Sequence, residues 1–600
     1  MTKHIFSVLI LIATFSANAQ SDQRLKGLEK ELNAVLKATN TTGFAVAIVE
    51  KDKIVYAKGF GYSDYENKVP VDANTLFAIG SCTKAFTASL LGQLSDEGKL
   101  SFDESPRIYI PELNFFNKEM NSNIIIRDLM SHRTGIPRHD YSWYFFPSFS
   151  KDSLINRIQY HEPFTGVREK WRYNNFMFMA QGVITERITG KSWEENVQER
   201  LFKPLSMTRS NLHIAELEKS SNIAYGYSVN DDKTVEKLDF YKIAGMSPAG
   251  SINSSVNEMS NWLITWINGG VFNGEQVIPE SYVQEAMTSQ AVINGGLPTA
   301  EFPDMHMANY GFAWMLSSYK GHYEVEHGGA IDGFRASTAF YPSDSIGIVI
   351  LSNQNGSPIP SLVRKMIADR MLETEKTDWL ELYNDKKKER EEAKEKNEED
   401  LEKTKEEEPN GAKSAHAFID FIGTYEHPGY GTFEITLDND SLFAHFPLKK
   451  LYLRNKHYDV FEMFEVTEEG IDTTDQTPLY YNFNTNDGGE ISSVNLNFEP
   501  SIDKPLEFKR TPKTIEVDKA IMESYVGLYE VMGTEVKIYI KEEALYLFVS
   551  GQPEYEMIAT GKHKFSFKSL DGFKLEFIEA EDKSIQAVKM IQPNGTFRAE

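Results

Sequence analysis

Residues 77–86 read FAIGSCTKAF and set Ser81, the chain's single cysteine Cys82, and Lys84 in close succession after Gly80. A serine hydroxyl is a weak nucleophile until a base takes its proton, and a lysine amine is such a base only when burial or a nearby cation lowers its pKa. A helix starting at Gly80–Ser81 would put Ser81 at its N-terminus, where unpaired backbone N–H groups and the helix dipole favour developing negative charge. Lys84, one helical turn on, shares that face, and Phe77 and Phe86 are at hand to desolvate it. Cys82 is turned about 100° around the helix from Ser81 and reads as a small packed side chain. The same Ser-x-x-Lys spacing occurs at Ser148–Lys151, Ser317–Lys320 and Ser501–Lys504, but only Ser81 combines a preceding glycine with a following amphipathic helical pattern.

Two further segments carry groups that could serve such a serine. WRYNNF supplies Tyr173 and Asn175 as a Y-x-N, and VEHGGAIDGF supplies His327-Gly328-Gly329 at the end of a strand-like run. In this order and at these separations the three resemble the motif set of the serine β-lactamase and penicillin-binding-protein superfamily, especially its class C-like branch of esterases, D-aminopeptidases and β-lactamase-related hydrolases. GFGYSDYENKVPVDANTLFAIGSCTKAFTA, IIIRDLMSHRTGIP, SPAGSINSSVNEMSNWL, YGFAWML and IVILSNQNG are similar to family segments as well, so the resemblance spans roughly residues 40–370.

The resemblance implies an α/β fold in which an antiparallel sheet is covered by helices on both faces. It implies Ser81 as the nucleophile that becomes acylated, Lys84 as its proton acceptor and Tyr173 as the group that shuttles the proton to the leaving group. Asn175 would hydrogen-bond Lys84 or the substrate amide, and the oxyanion would sit between the backbone N–H groups of Ser81 and Ala330. His327, counted with the catalytic set, stands where β-lactamases carry lysine. An imidazole only partly charged near neutrality points away from a lactam and towards an ester, an amide or a D-amino-acid peptide. Gly328 and Gly329 are expected to let the backbone approach a ligand closely. No metal and no organic cofactor is implied, and the partner is a small-molecule or peptide substrate, cell-wall fragments included. The competing reading is a non-catalytic or slowly acylated penicillin-binding or cell-wall peptide receptor. Joint retention of Ser81, Lys84 and Tyr173 argues against it, because a receptor needs no activated hydroxyl.

Other constellations fall to simple geometry. Ser247 in GMSPA resembles a nucleophile elbow, but the next residue must donate its N–H to the oxyanion and Pro248 has none. His322, Glu324, Glu326 and His327 suggest metal ligands, yet His322 and His327 are an odd number of residues apart and face opposite sides of a strand. Asp332 and Arg335 could read a substrate amine or carboxylate, although two charges near a turn read first as ordinary surface.

The elements that must position these residues follow from periodicity. GFAVAIVEKDKIVYAKGFGY reads as two strands around a charged turn, and four short strand-like runs between 310 and 353 precede an amphipathic helix over 360–372. Strands at both ends of a helix-rich middle predict one sheet completed by the last segment. Residues 385–408 hold 12 acids and 8 bases with Leu401 the single large apolar residue, which predicts a solvated helical spacer braced by Glu392–Lys396 and Glu399–Lys403 pairs. Beyond it, Gly423-x-Tyr-Glu and Gly431-Thr432 match Gly527-x-Tyr-Glu and Gly533-Thr534, predicting two related all-β modules, each a small barrel or sandwich. The expected organisation is a signal peptide over 1–19, a hydrolase domain over 20–376, a charged linker over 377–415, and β modules over 416–512 and 513–600.

Bulk composition agrees with an exported globular chain. Six hundred residues exceed one core, and a formal charge of −25 repels the phosphates that nucleic-acid binding requires. Lys3 and His4 precede an apolar run, Ile5 to Phe15, too short to span a bilayer, and Ala17-Asn18-Ala19 follows as a cleavage site. Export to the periplasm or the medium is expected, with no membrane span left after cleavage. One cysteine excludes an intrachain disulfide, so stability must come from the core. Oligomeric state is not encoded in any pattern found.

Overall fold

The computed structural model describes residues 22–600 apart from 231–232, 406–412, 468–469, 472–478, 512–514, 532, 569–572, 581 and 593–594, so the expected leader lies outside the described residues. One nine-stranded sheet comprises β1 (Gly43–Glu50), β2 (Lys53–Asp64), β3 (Val69–Pro70), β4 (Ala291–Asn294), β5 (Ala308–Tyr310), β6 (Met315–Tyr319), β7 (His322–Ile331), β8 (Phe334–Tyr341) and β9 (Ile346–Ser352). Their order is β4-β5-β6-β7-β8-β9-β1-β2-β3, antiparallel throughout. The last segment thus completes the sheet begun by the first, with Ala47 of β1 opposite both Val349 and Ala57.

The principal helices are α1 (Leu28–Ala38), α2 (Thr83–Asp96), α3 (Asn175–Thr189), α4 (Val256–Ile267), α5 (Ile359–Met371) and α6 (Trp379–Lys405). A strand buried on both faces loses its polar alternation, which is why β1 reads as one apolar run. Phe44, Val46 and Ile48 pack with Leu32 of α1 and Val363 of α5, while Ala45, Ala47 and Val49 join the core that holds Trp262 and Leu263 of α4. The expected α/β architecture, a sheet with helices on both faces, is the one present. On the α4 side α2 is buried along most of its length, its polar Thr83, Lys84, Thr87 and Ser89 included, so the expected amphipathic face is not left in solvent. It is preceded by a 3-10 turn over Gly80–Cys82 rather than starting directly at Gly80.

Helix α6 begins at Trp379, whose ring stacks on Phe302 at 5.3 Å and whose Nε1 donates to Asp369 at 2.8 Å. It then leaves the core, carrying Lys387–Glu391 and Lys388–Glu392 pairs at 3.8 Å, so Glu392 faces Lys388, against the expected pairing with Lys396. The expected Glu399–Lys403 pair lies outside the described side chains.

Two all-β barrels follow. Between Gly423 and Thr511 nine strands form a sheet that strand 450–457 closes on 460–467, a closure that removes exposed edges. Between Gly527 and Ala599 eight strands run in simple sequence order, and the Glu530 N–H donates to the Glu600 carbonyl at 3.1 Å, bringing the ends together. Their kinship shows in one repeated contact: the Tyr425 hydroxyl donates to the Phe421 carbonyl at 2.8 Å, and that of Tyr529 to the Tyr525 carbonyl at 3.0 Å.

Candidate active site

Pairing of β7 with β6 ends at Glu326–Met315, so His327–Ile331 run on past their neighbour, and the turn carrying Ser81 packs there. A Cβ on Gly329 would fall 1.9 Å from the Ile79 carbonyl oxygen, and one on Gly80, at φ +51°, would fall 2.8 Å from the Ala330 nitrogen. Glycine is required at both positions because backbone meets backbone. The close approach expected of Gly329 is therefore to the turn that carries Ser81, whereas a Cβ on Gly328 would have no neighbour nearer than 3.7 Å. The same contact sets the Ala330 backbone against Gly80, the residue before Ser81.

Lys84 is fully buried, with Nζ 2.9 Å from Ser81 Oγ and 2.8 Å from the Ala249 carbonyl oxygen. Burial, reinforced by the Arg138 guanidinium and opposed by Asp140, holds its pKa well below the usual lysine range. A neutral amine donates to Ala249 and keeps its lone pair for the serine proton. Its nitrogen also lies 4.9 Å from the ring centroid of Tyr173. Burial raises the Tyr173 phenol pKa, a hydrogen bond with Ser81 working in the opposite direction.

Tyr173 is fixed by its neighbour Asn174, which caps α3 through Met177 N–H and donates Nδ2 to the Pro137 carbonyl at 2.6 Å. The Asn174 N–H donates to His132 Nδ1 at 3.1 Å, and the His132 ring lies 4.3 Å from that of Tyr173. Asn175 takes a partner other than Lys84, its Nδ2 donating to Asp140 Oδ1 at 2.8 Å at the edge of the cleft. Asp140 also receives Trp143 Nε1 at 2.9 Å.

His327 corrects an expectation. Its Nδ1 donates to the Gly328 carbonyl at 2.7 Å, which leaves Nε2 to accept from the Tyr310 hydroxyl at 3.1 Å. Burial first and Lys84 second hold its pKa down to about 3, so the imidazole is neutral near neutrality instead of partly charged. Cys82 packs as expected: Sγ donates to the His327 carbonyl at 3.2 Å and burial pushes the thiol up to about 12.

The rival motifs separate cleanly. Lys151 pairs with Glu186 at 2.6 Å, Lys320 with Asp369 at 2.7 Å, and the Ser501 hydroxyl donates to Glu499. The proposed metal ligands turn to separate partners, His322 to Asp344 at 3.0 Å, Glu324 to Tyr341 at 2.7 Å and Glu326 to Arg364 at 2.6 Å.

Ser81, Tyr173, Asn175, His327, Gly328, Gly329 and Ala330 all line one cavity of about 1120 Å³. Asp332 and Arg335, read from sequence as surface charge, line it too, and Asp332 accepts the Tyr144 hydroxyl at 2.8 Å. A family model described as Beta-lactamase matches residues 25–369, over half of the chain.

The chain belongs to the beta-lactamase family.

A second family model, a domain of unknown function, matches residues 407–510, the segment of the first barrel. Among relatives of the beta-lactamase family, an unguisins hydrolase of Aspergillus violaceofuscus is 25% identical over 60% of this chain and 67% of its own length. Protein flp of Staphylococcus aureus is 24% identical over 55% of this chain and 63% of its own. The octameric penicillin-binding protein homologue from Pyrococcus abyssi shares the fold, with a TM-score of 0.53 at 20% identity over 81% of this chain and 99% of that one.

Four residues of this beta-lactamase-family site escaped sequence reasoning: His132, Arg138, Asp140 and Tyr310. His132 sat inside a segment quoted for its family likeness, and its signal was a lone imidazole next to an apolar stretch. Burial, with Lys84 as the next contribution, keeps it far below the ordinary histidine pKa. Tyr310 opened the family-like segment YGFAWML, but nothing there marked its hydroxyl, which only the β5–β6–β7 arrangement sets beside His327.

Proposed function

We propose that the protein is an exported serine hydrolase that forms an acyl-enzyme at Ser81 on an amide, D-amino-acid peptide, ester or lactam substrate. One observation carries the reading: a buried amine with a depressed pKa lies 2.9 Å from a cleft-lining serine oxygen. Neutral Lys84 takes the Ser81 proton as Oγ attacks the acyl carbon, and the oxyanion forms between the N–H groups of Ser81 and Ala330. A single such donor is worth about 10²–10³ in rate. Tyr173, kept protonated by its surroundings, gives its proton to the leaving group and recovers one from the Lys84 ammonium, which returns the amine to its neutral form. Water, deprotonated along the same route, then releases the acyl group and restores Ser81. His327, held by Tyr310, supports the wall from which the Ala330 amide points.

The relatives support hydrolysis, one being named for action on unguisins. Export rests on the apolar run Ile5–Phe15 and the Ala17-Asn18-Ala19 site. Intact-mass analysis after treatment with a fluorophosphonate tests the nucleophile: one adduct is expected on the natural chain and none on Ser81→Ala. An adduct that survives the substitution would discard Ser81.

A further inference from the structure

The cavity that holds Ser81 is not walled by the catalytic domain alone. Glu499, Pro500 and Ser501, from the first barrel, line it together with the aromatic side chains of Trp143, Tyr144 and Tyr241. That aromatic wall is itself held by the barrel. Phe145 and Phe146 are counted within the barrel's core, their rings 5.0 and 5.3 Å from that of Phe446. The Ser142 hydroxyl donates to the Gly429 carbonyl and the His139 N–H to Glu499 Oε2, each at 2.7 Å. A Cβ on Gly431 would fall 2.8 Å from Phe146, while one on its counterpart Gly533 in the second barrel would meet nothing within 4 Å. Glycine stands at both repeat positions, and only in the first barrel does it face the catalytic domain.

Two features speak for an extended occupant. About 1120 Å³ is more than the few hundred to 1,000 Å³ that encloses a small ligand. Its lining offers flat aromatic faces and, next to Ala330 across the β7–β8 pairing, the half-buried Arg335 guanidinium near Asp332, a lining suited to apolar side chains and backbone amides. We propose that the first barrel's Glu499–Ser501 loop and the 141–146 segment it anchors form a subsite for a peptide chain extending from the bond cut at Ser81, and that this barrel determines substrate length. The inference rests on Ser81 being the acylated residue.

Pro500 is exposed at the loop tip, so bulk added there enters the cleft without entering a core. The test compares second-order rate constants for Ser81 modification by diisopropyl fluorophosphate and by a peptidyl diphenyl phosphonate carrying phenylalanine, in the full chain and in Pro500→Trp and Pro500→Arg. The natural protein should take both probes, and the extended-to-small ratio should fall at least tenfold in both variants. A ratio unchanged in variants that melt as the natural chain does, or a natural chain that takes the small probe and refuses the extended one, overturns the proposal. Absence of any Ser81 adduct on the natural chain would instead overturn the acyl-enzyme reading, a separate and recognisable failure.

Discussion

At the scale of single residues, the site depends on a lysine that is uncharged where most are cations. Desolvation supplies most of the shift and Arg138 adds to it, so the reactive neutral form is lost as pH falls through the depressed pKa of Lys84. The value of kcat/KM should therefore decline on the acid side of its profile. Lys84→Arg, charged at every accessible pH, should lose about 10²–10⁴ in kcat/KM across the profile. Steady-state rates on a p-nitrophenyl ester between pH 5 and 9 measure both effects, and an arginine variant with a normal acid limb would contradict the role. Gly329 offers a second test. Its Cβ would meet the Ile79 carbonyl oxygen at 1.9 Å, so Gly329→Ala should cost about 1–3 kcal/mol or more and displace the Ser81 turn. Gly328→Ala, with nothing nearer than 3.7 Å, should melt close to the natural protein.

At the scale of elements, the sheet and its helices were legible because burial on both faces makes long apolar runs and the turns between them are polar. The loop that delivers Tyr173 was not legible, since it is held by ion pairs between distant residues. Asp128, fully buried, receives Arg133 at 2.9 Å and Arg168 at 2.8 Å, and the Arg172 N–H donates to the His132 carbonyl at 2.9 Å. Removing the buried carboxylate leaves two arginines without their partner, and because Arg168 is 42% exposed the cost falls below the ~3–5 kcal/mol of a fully buried pair. Asp128→Ala should lower the melting temperature and reduce kcat more than it changes KM, because the role proposed for Tyr173 is proton transfer and not substrate binding. Calorimetry together with a KM-against-kcat comparison checks this, and an unchanged kcat would detach the loop from catalysis.

At the scale of the whole molecule, the first barrel and the catalytic domain meet around three imidazoles. The His139 and His161 rings stack at 4.5 Å, His139 Nδ1 lies 2.7 Å from the Tyr430 hydroxyl, and His161 Nε2 lies 3.1 Å from the Gly429 carbonyl oxygen. Burial lowers all three pKa values, that of His427 to about 4, with His139 next in effect on both His161 and His427. The unfolded chain binds these protons near pH 6.5, before the folded chain does, so stability falls as pH drops from about 6.5 towards 4. Thermal unfolding followed over that window should show the decline, and His161→Leu should flatten it. An equal slope in that variant would place the titration elsewhere.

Local pattern alone determined much of this protein: the Ser81–Lys84 spacing, the apolar strands, the charged spacer and the duplicated barrels are all written in neighbouring residues, whose periodicity reports which faces are buried. Family likeness in scattered motifs then pointed to Tyr173, Asn175 and His327. Tertiary structure alone decided that His327 is neutral and bonded to Tyr310, that Asn175 serves Asp140, and that Asp332 and Arg335 face the cleft. It alone showed that a barrel loop, Glu499–Ser501, more than 100 residues beyond the last strand of the catalytic sheet, lines one side of the site. Protonation state, hydrogen-bond choice and shared walls depend on what approaches through space, and spacing along the chain carries no record of that.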